Sequence, residues 1–369
     1  MPKISIILPV YNGQKYIEKT INMLCDTTLK DIEIIVIDDG SKDNSYAICC
    51  NCAKRDNRIK VYQKQNEGGV YAARNYGLKK VTGEYVCFCD QDDIVEPDIY
   101  EKMLFYSQSQ DVDIVMCSVG KLIGEKRVTF ETLPNIHYNT QKQISSLLLQ
   151  NLFVNTSIYP GNGISIGNTI WRCMVKDSFI QENAIYFRRY VNYEDDWLFV
   201  LDCLARAKSV SMVSDILYYW RVNLKSETYT SKYIYDIYLK DKTLQDEIEK
   251  IMQIAGIDEK MVSVFRKHYS CVRYINILEN EMKNDKNNLR SKIDYIKIIQ
   301  TEAEYEGNLK MREKYNRNLV RKKIALWFLE KNQLFLAYIF LIVFNRLKLF
   351  GVRHEYWNRI ERKLARIRK

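Results

Sequence analysis

The sequence predicts an α/β fold, in which a doubly wound, mostly parallel sheet is followed by a helical and basic C-terminal extension. Four apolar segments of strand length alternate with segments of helical periodicity over residues 1–100. This alternation is typical of a parallel sheet with right-handed crossovers. The composition, with 47% hydrophobic and 28% charged residues, is that of a globular protein and excludes a disordered chain.

The strand predictions rest on apolar runs that stop at turn residues, as buried parallel strands do. The segments between them place apolar residues at helical spacing, for example Ile17, Ile21 and Leu24. The predicted strands lie within 3–12, 32–41, 59–65 and 83–93, and the predicted helices lie within 14–28, 44–55 and 69–81.

Polar side chains follow three of these strands. Asn12 ends the first strand, Asp38 and Asp39 end the second, and Asp90 and Asp92 end the fourth. In an open α/β sheet, ligands bind in the crevice outside the carboxyl ends of the strands. The sequence therefore predicts that these side chains meet at one edge of the sheet and line a cleft.

The acids Asp90 and Asp92 stand two positions apart, so both carboxylates can approach one hard cation. Mn²⁺ and Mg²⁺ prefer oxygen ligands, and Mg²⁺ commonly binds through one or two carboxylates plus substrate phosphates. The pair therefore favours a Mn²⁺ or Mg²⁺ site that a diphosphate completes. The competing interpretation is a turn in which Asp92 or Asp93 caps the helix that begins near Pro97.

The rest of the chain divides by composition. Residues 101–230 contain less regular segments, including a glycine-bearing loop at 161–163 that either lines a pocket or is an ordinary loop. Residues 231–318 are predicted to be helical and highly charged, and 319–369 to form a basic tail of amphipathic and apolar helices. The predicted domains are therefore 1–230, 231–318 and 319–369.

The net positive charge of the protein comes from its C-terminal residues. Residues 308–369 hold 17 Lys or Arg and 4 Asp or Glu, whereas the whole chain has a net charge of +10. The apolar run at 334–344 is shorter than the ~20 residues that a spanning helix needs. A basic amphipathic helix beside an apolar one is typical of contact with an anionic membrane surface. The alternative is a helical hairpin that packs on the main domain or forms a dimer.

Four segments within the first 100 residues occur in an order and spacing that resemble the family 2 glycosyltransferases. That family comprises inverting enzymes of the GT-A fold that use nucleotide-sugar donors. The match is dense over residues 1–100 and looser to about residue 230. The resemblance implies a GT-A domain at 1–230, with a nucleotide-binding half at 1–100 and an acceptor half at 101–230. The segments are SIILPVYNGQKYIEKTINML, IEIIVIDDGSKDNS, NEGGVYAARNYGL and GEYVCFCDQDDIVEPD.

The resemblance implies roles for residues that bind the nucleotide. Pro9, Val10 and Tyr11 match the strand-end segment that packs on the base, and Asp39 matches the residue that hydrogen-bonds uracil. Arg74 matches the arginine near the diphosphate. We therefore expect the base and the diphosphate to contact two different segments of the sheet edge.

The resemblance also implies roles for the acids after the fourth strand. Asp92 matches the direct metal ligand, and Asp90 matches the acid nearer the ribose, so both enter the predicted metal site. Gln91 occupies a position where Ser or Ala is frequent in the family. Asp93, Glu96 and Asp98 receive no site role and are expected to cap the next helix.

An inverting transfer needs a general base that takes the proton of the acceptor hydroxyl. The family supplies it from a later Glu-Asp motif, and NYEDDWLFV is the matching segment. Two registers fit. If Glu194 and Asp195 form the motif, Asp195 is the base. If Asp195 and Asp196 form it, Asp196 is the base. The first register is favoured, and the competing interpretation is a set of acids that stabilise a helix N-terminus.

The sequence therefore predicts a metal-dependent hexosyltransferase that moves a sugar from a UDP-sugar to a glycan or lipid-linked glycan acceptor in cell-surface polysaccharide biosynthesis. The alternatives are a non-catalytic scaffold that retains the fold, or a sugar nucleotidyltransferase. The N-terminal segment predicts a strand rather than a cleaved leader. We expect a cytoplasmic protein at the inner face of the cell membrane, with homo-oligomerisation left open and no nucleic-acid partner.

Overall fold

The structure is a computed structural model. It describes residues 1–153, 166, 169–188, 195–223, 233–300, 335–337 and 339–341. Its contacts divide the chain into two compact units. The first consists of 1–151, 164–230 and 250–257, and the second consists of 152–163, 231–249 and 258–369. The predicted domain boundaries at 230 and 318 stay predictions.

The first unit is built on a mixed β-sheet. Its strands are β1 (Ile4–Val10), β2 (Ile32–Asp38), β3 (Ile59–Gln63), β4 (Tyr85–Phe88), β5 (Ile94–Val95), β6 (Ile114–Ile123), β7 (Lys126–Glu131), β8 (Ile136–Tyr138), β9 (Cys173–Lys176) and β10 (Val210–Arg221). Within the described residues the strand order is β3-β2-β1-β4-β9-β6-β10-β5, with β7 beside β6 and β8 beside β10.

The helices alternate with the first four strands and then continue into the second unit. They are α1 (Ile17–Cys25), α2 (Ser45–Ala53), α3 (Val70–Leu78), α4 (Ile99–Gln110), α5 (Gln141–Leu152), α6 (Asp177–Glu182), α7 (Asp195–Arg206), α8 (Ile237–Ile254), α9 (Glu259–Glu281) and α10 (Leu289–Gln300). A 3₁₀ turn at Ile170–Arg172 precedes β9.

The four strands predicted from the first 100 residues form a parallel block. β1 pairs in parallel with β2 and β4, and β2 pairs in parallel with β3. Every residue of β1 and β2 is buried, as expected for strands covered on both faces. The predicted α/β sheet is therefore confirmed. Beyond this block the sheet is mixed, because β9 lies antiparallel between β4 and β6.

Both faces of the parallel block are packed. Ile17, Ile21 and Leu24 of α1 are buried in the core cluster on one face. On the other face, α3 approaches the sheet closely, because a Cβ on Gly77 would lie 2.6 Å from the side chain of Ile7. The helices that follow β1 and β3 therefore fix the carboxyl edge of the sheet from both sides.

The two neighbours of β1 part from it at different points. On the β2 side the pairing runs to Val10, and the amide of Asp39 still donates to the carbonyl of Val10 at 2.8 Å. On the β4 side it ends with the bond from the amide of Cys89 to the carbonyl of Ile7, at 3.0 Å. The next donor in a parallel ladder would be Pro9, which has no N–H. The strand order of the sheet reverses between β1 and β4. The two strands therefore separate at this reversal, which is where open α/β sheets bind their ligands.

The second unit is helical over its described residues. Val262 and Phe265 of α9 are buried, and α9 begins after Asp258, whose side chain accepts the amide of Met261 at 2.9 Å. Within the described ranges, no helix combines the length and apolar character needed to cross a membrane. The predicted tail at 319–369 lies outside the described residues, apart from the helical positions 335–337 and 339–341.

Candidate active site

The end of β1 is a turn that side chains hold in place. Asn12 has a φ of +48°, in the left-handed region that Asn tolerates better than most residues. Its amide donates to Oγ of Ser41 at 3.0 Å, and its side-chain oxygen accepts the amide of Lys42 at 2.8 Å. The turns after β1 and β2 therefore fix each other, and Tyr11, at 43% exposure, faces outward beside them.

The two acids after β2 are both buried at this edge. Oδ1 of Asp38 accepts the amide of Ser41 at 3.2 Å and the side-chain amide of Gln63 at 3.1 Å, so Asp38 shapes the turn. Asp39 is 4% exposed and pairs with Nζ of Lys64 at 2.8 Å. The expected uracil-binding acid is thus held at the strand end by a lysine that follows β3.

The loop after β4 is anchored to the last strand of the sheet. The hydroxyl of Tyr218 donates to Oδ2 of Asp93 at 2.8 Å and accepts the amide of Asp90 at 3.1 Å. The amide of Arg221 donates to Oδ1 of Asp93 at 2.8 Å, and Nε of Arg221 donates to the carbonyl of Asp92 at 2.6 Å. The backbone of Asp90 to Asp92, called the D-x-D segment below, is therefore fixed by β10.

Arg74 of α3 gathers three carboxylates at the centre of this edge. Its guanidinium lies 3.1 Å from Oδ1 of Asp90 and 3.5 Å from Oδ2 of Asp195, and it forms a close ion pair with Asp196. The Arg74 side chain is 3% exposed, and those of Asp195 and Asp196 are 12% and 15% exposed. The structure thus joins the D-x-D segment to the first turn of α7, more than a hundred residues later in the chain.

Burial perturbs the acids of this edge. Burial, reinforced by the charge of Asp90, raises the pKa of Asp92 to about 6. Burial also raises the pKa of Asp195 and of Asp196, although the positive charge of Arg74 opposes the shift in both. These carboxylates also repel one another, and a bound cation would reduce both the repulsion and the cost of burying their charge.

The residues present fit a divalent metal only in part. Within the described parts of the chain, no group of three or more His, Cys, Asp or Glu side chains is arranged to hold a metal ion. Asp90 and Asp92 offer two carboxylates, and Oδ1 of Asp90 already accepts a hydrogen bond from Arg74. Such a donor set suits Mg²⁺ or Mn²⁺ when substrate phosphates supply further oxygen ligands.

The structure brings together most of the predicted site residues. Arg74, Asp90, Asp195 and Asp196 form one cluster, and Pro9, Val10, Tyr11 and Asp39 lie together at the ends of β1 and β2. Asp92 lies in the same loop as Asp90, and its backbone carbonyl is held by Arg221. Glu194 and the loop at 161–163 lie outside the described residues.

The capping role expected for three further acids is wrong. Asp93 is buried against Tyr218, Glu96 pairs with Arg127, and Asp98 pairs with Lys102 at 2.9 Å. Asp98 stands at the N-cap position of α4, but its side chain forms no capping hydrogen bond there. Asp93 is buried beside β10 and does not cap the helix, because Tyr218 and Arg221 donate hydrogen bonds to its two carboxylate oxygens.

The sequence interpretation also missed two partners of the site. Lys64 follows β3 at the same carboxyl edge as Asp39, so its position after a predicted strand was an available signal. Tyr218 gave no such signal, because a tyrosine within a β-strand is ordinary and its partner Asp93 lies 125 residues away. A pairing of this kind can be predicted only when the register of β10 against β5 is known.

Replacing Arg74 by methionine should destabilise the protein by about 3–5 kcal/mol, because it leaves buried carboxylates without their cation. Chemical unfolding measures the change. Arg55→Met is the matched control, since Arg55 forms an ion pair with Glu18 in which both side chains are more than half exposed. We expect the control to cost far less than Arg74→Met, because solvent screens an ion pair between two exposed side chains. Equal costs for the two variants would contradict the cluster.

Comparison with known sequences identifies the family. Residues 5–163 match the model described as Glycosyl transferase family 2. The chain is 31% identical over 231 residues to the Uncharacterized glycosyltransferase EpsJ of Bacillus subtilis, covering 62% of this chain and 63% of EpsJ. It is 31% identical over 255 residues to an uncharacterized glycosyltransferase of Haemophilus influenzae, covering 66% of this chain and 90% of that protein. The chain spans less than two thirds of the length of EpsJ and of a second glycosyltransferase of Bacillus subtilis, EpsH.

The fold is shared with a solved structure. The crystal structure of Staphylococcus aureus TarS 1–349 superposes with a TM-score of 0.61 and 18% sequence identity, covering 93% of this chain and 91% of that one. At this identity the likeness shows the fold. Together with the family match and the relative that is covered over nine tenths of its length, it confirms the predicted family: the chain belongs to glycosyl transferase family 2.

Proposed function

We propose that the protein is a metal-dependent, inverting glycosyltransferase that moves a sugar from a UDP-sugar to a glycan or lipid-linked glycan acceptor. The observation that carries the proposal is the cluster of Arg74 with Asp90, Asp195 and Asp196. It joins the segment expected to bind the diphosphate to the segment expected to supply the general base. A transfer reaction needs both at one place.

The donor would lie across the carboxyl ends of the parallel block. Pro9, Val10 and Tyr11 would pack on the base, and Asp39 would accept the N–H of uracil. The pairing of Asp39 with Lys64 at 2.8 Å fixes the position of the carboxylate that would accept this hydrogen bond. TarS, which shares the fold, has been crystallised with UDP and with UDP-GlcNAc. These structures support a uridine donor, and thymidine donors present the same base edge.

Asp92, with Asp90 beside it, would hold Mn²⁺ or Mg²⁺ against the diphosphate. The bound metal would neutralise the negative charge that develops on the leaving phosphate. Arg74 would stabilise the same charge from the other side, because its guanidinium already contacts Asp90. Asp90 would contact the ribose side of the donor, and Arg221 would keep the Asp92 backbone in place.

Asp195 is our candidate for the general base. Asp196 forms the closer ion pair with Arg74 and accepts a backbone hydrogen bond from Ile170, so it is committed to structure. Asp195 would take the proton of the acceptor hydroxyl as that oxygen bonds to C1 of the donor sugar. The bond from C1 to the phosphate oxygen breaks on the opposite face, and its electron pair leaves with UDP. The configuration at C1 is thereby inverted.

The acceptor is proposed from a relative, and the location from the basic C-terminal residues. One relative carries the name Poly(ribitol-phosphate) beta-glucosyltransferase and is 29% identical over 241 residues, which supports a role in making a cell-surface polymer. The basic tail at 319–369 would hold the protein at the inner face of the cell membrane through anionic lipids. The competing arrangement is a homo-oligomer that buries the tail.

A screen of nucleotide sugars tests the proposal. The purified full-length chain is mixed with Mn²⁺ and a panel of UDP-, TDP- and GDP-sugars, and thermal unfolding is recorded. A donor at 100 times its Kd should add about 2.7 kcal/mol of stability, and UDP-sugars should do so in a metal-dependent manner. Absence of any metal-dependent stabilisation would favour a non-catalytic scaffold. Release of pyrophosphate from UTP and a sugar phosphate would instead indicate a nucleotidyltransferase.

A further inference from the structure

Gln91, the residue between the two acids of the D-x-D segment, bonds to the end of β1 through both ends of its side-chain amide. The amide of Tyr11 donates to Oε1 of Gln91 at 3.0 Å, and Nε2 of Gln91 donates to the carbonyl of Tyr11 at 3.1 Å. The backbone carbonyl of Gln91 accepts the hydroxyl of Thr20 on α1 at 2.8 Å. The side chain therefore pairs with Tyr11 as a neighbouring strand would.

This pairing stands where the backbone ladder cannot continue. The last backbone bond between β4 and β1 joins the amide of Cys89 to the carbonyl of Ile7. Pro9 would be the next donor and has no N–H, so the strands lose their direct connection there. The Gln91 amide restores a two-bond connection two residues further on, at Tyr11.

The local sequence leaves room for the amide. A Cβ placed on Gly13 would collide with Oε1 and with the carbonyl carbon of the Gln91 side chain. Gly13 does not have a positive φ, so its backbone conformation by itself does not require glycine. The space needed by the Gln91 amide is the reason for a small residue at this position.

We infer that Gln91 is a positioning residue that holds the base-binding segment at Tyr11 in register with the metal-binding acids Asp90 and Asp92. This inference rests on the proposed function and extends it. A nucleoside diphosphate contacts both segments at once, so its affinity in the presence of metal depends on their relative placement. Without the Gln91 amide, the segments must be ordered by the ligand, which weakens binding.

Titration calorimetry of UDP tests the inference, with the full-length protein in the presence and absence of Mn²⁺. Gln91→Met keeps the length of the side chain and removes both hydrogen bonds. We expect the gain in UDP affinity that Mn²⁺ produces to fall about tenfold in this variant. Gln181→Met is the matched control, because Gln181 bonds to Asp177 within α6, and its gain should stay unchanged.

Gly13→Ala provides a second variant, because the added Cβ displaces the same amide. It should reduce the Mn²⁺-dependent gain as Gln91→Met does, and the double variant should be no worse than either alone, since both remove one connection. The inference would be overturned if Mn²⁺ increased the UDP affinity of Gln91→Met as much as that of the wild type. It would also be overturned if the losses of the two single variants added up in the double variant. If the wild-type protein binds no UDP in Mn²⁺, the proposed function fails first and the inference fails with it.

Discussion

Asp92→Asn should lower metal-dependent transfer about a thousandfold. The metal in this site would supply several kcal/mol of transition-state stabilisation, and each 1.36 kcal/mol corresponds to a factor of ten in rate. The measurement is the initial rate of sugar transfer, or of UDP-sugar hydrolysis, over a range of Mn²⁺ concentrations.

Asp98→Asn is the matched control for this variant. It makes the same chemical change just before α4, at a side chain that is 39% exposed and paired with Lys102 on the surface. We expect its rate to stay within about twofold of the wild-type rate, as for most surface substitutions. An Asp92→Asn protein with unchanged rate and unchanged Mn²⁺ dependence would remove the metal assignment.

Asp92→Asn should also stabilise the ligand-free protein at neutral pH. Burial and the charge of Asp90 raise the pKa of Asp92 to about 6, above its ordinary value of 3.8. The folded state therefore holds this proton more tightly than the unfolded state, and the free energy of unfolding falls as pH rises from about 4 to about 6. Asparagine has no such proton. The Tm of Asp92→Asn should exceed that of the wild type above pH 6, and the difference should disappear near pH 4.

Asp195→Asn should lower kcat by about a hundredfold to ten-thousandfold while leaving the Kd of UDP with Mn²⁺ nearly unchanged. The proposed base acts on the acceptor, so its loss affects the chemical step and not donor binding. Asp196→Asn should leave kcat much closer to the wild-type value, because Asp196 is held by the buried Arg74 and by the amide of Ile170. Steady-state kinetics and chemical unfolding of the two variants separate the roles.

The pH profile gives an independent check on the base. Burial raises the pKa of Asp195 above its ordinary value, so the carboxylate required of a base is lost as pH falls through a range higher than that of a free aspartate. We expect the acidic limb of the kcat/KM profile to reflect this shift. If Asp196→Asn loses kcat at wild-type stability and Asp195→Asn does not, the two roles are exchanged.

The parallel block could be predicted because β1, β2 and β4 are buried on both faces and therefore read as continuous apolar runs. Their carboxyl ends followed from topology, which placed Asp39 and Asp90 at one edge. The exposed strand β7, with the sequence KRVTFE, carries no apolar run and could not be separated from a loop.

The site was predictable as a set of residues but not as a network. Motif positions indicated Arg74 and the acids of α7, yet their direct contact depends on how α3 and α7 lie against the sheet. The same holds for Gln91, whose hydrogen bonds to Tyr11 require the gap that Pro9 leaves in the ladder. Side-chain partners that are far apart in sequence follow from tertiary packing, which local pattern does not encode.

The central claim is that the carboxyl edge of the parallel block binds a nucleoside diphosphate together with a divalent metal. The most direct test is the anomalous scattering of manganese in crystals grown with UDP and Mn²⁺. We predict one strong peak within about 2.0–2.4 Å of a carboxylate oxygen of Asp92 and in contact with both phosphates of UDP. UDP bound without a peak near Asp92, or manganese bound only elsewhere, would contradict the account.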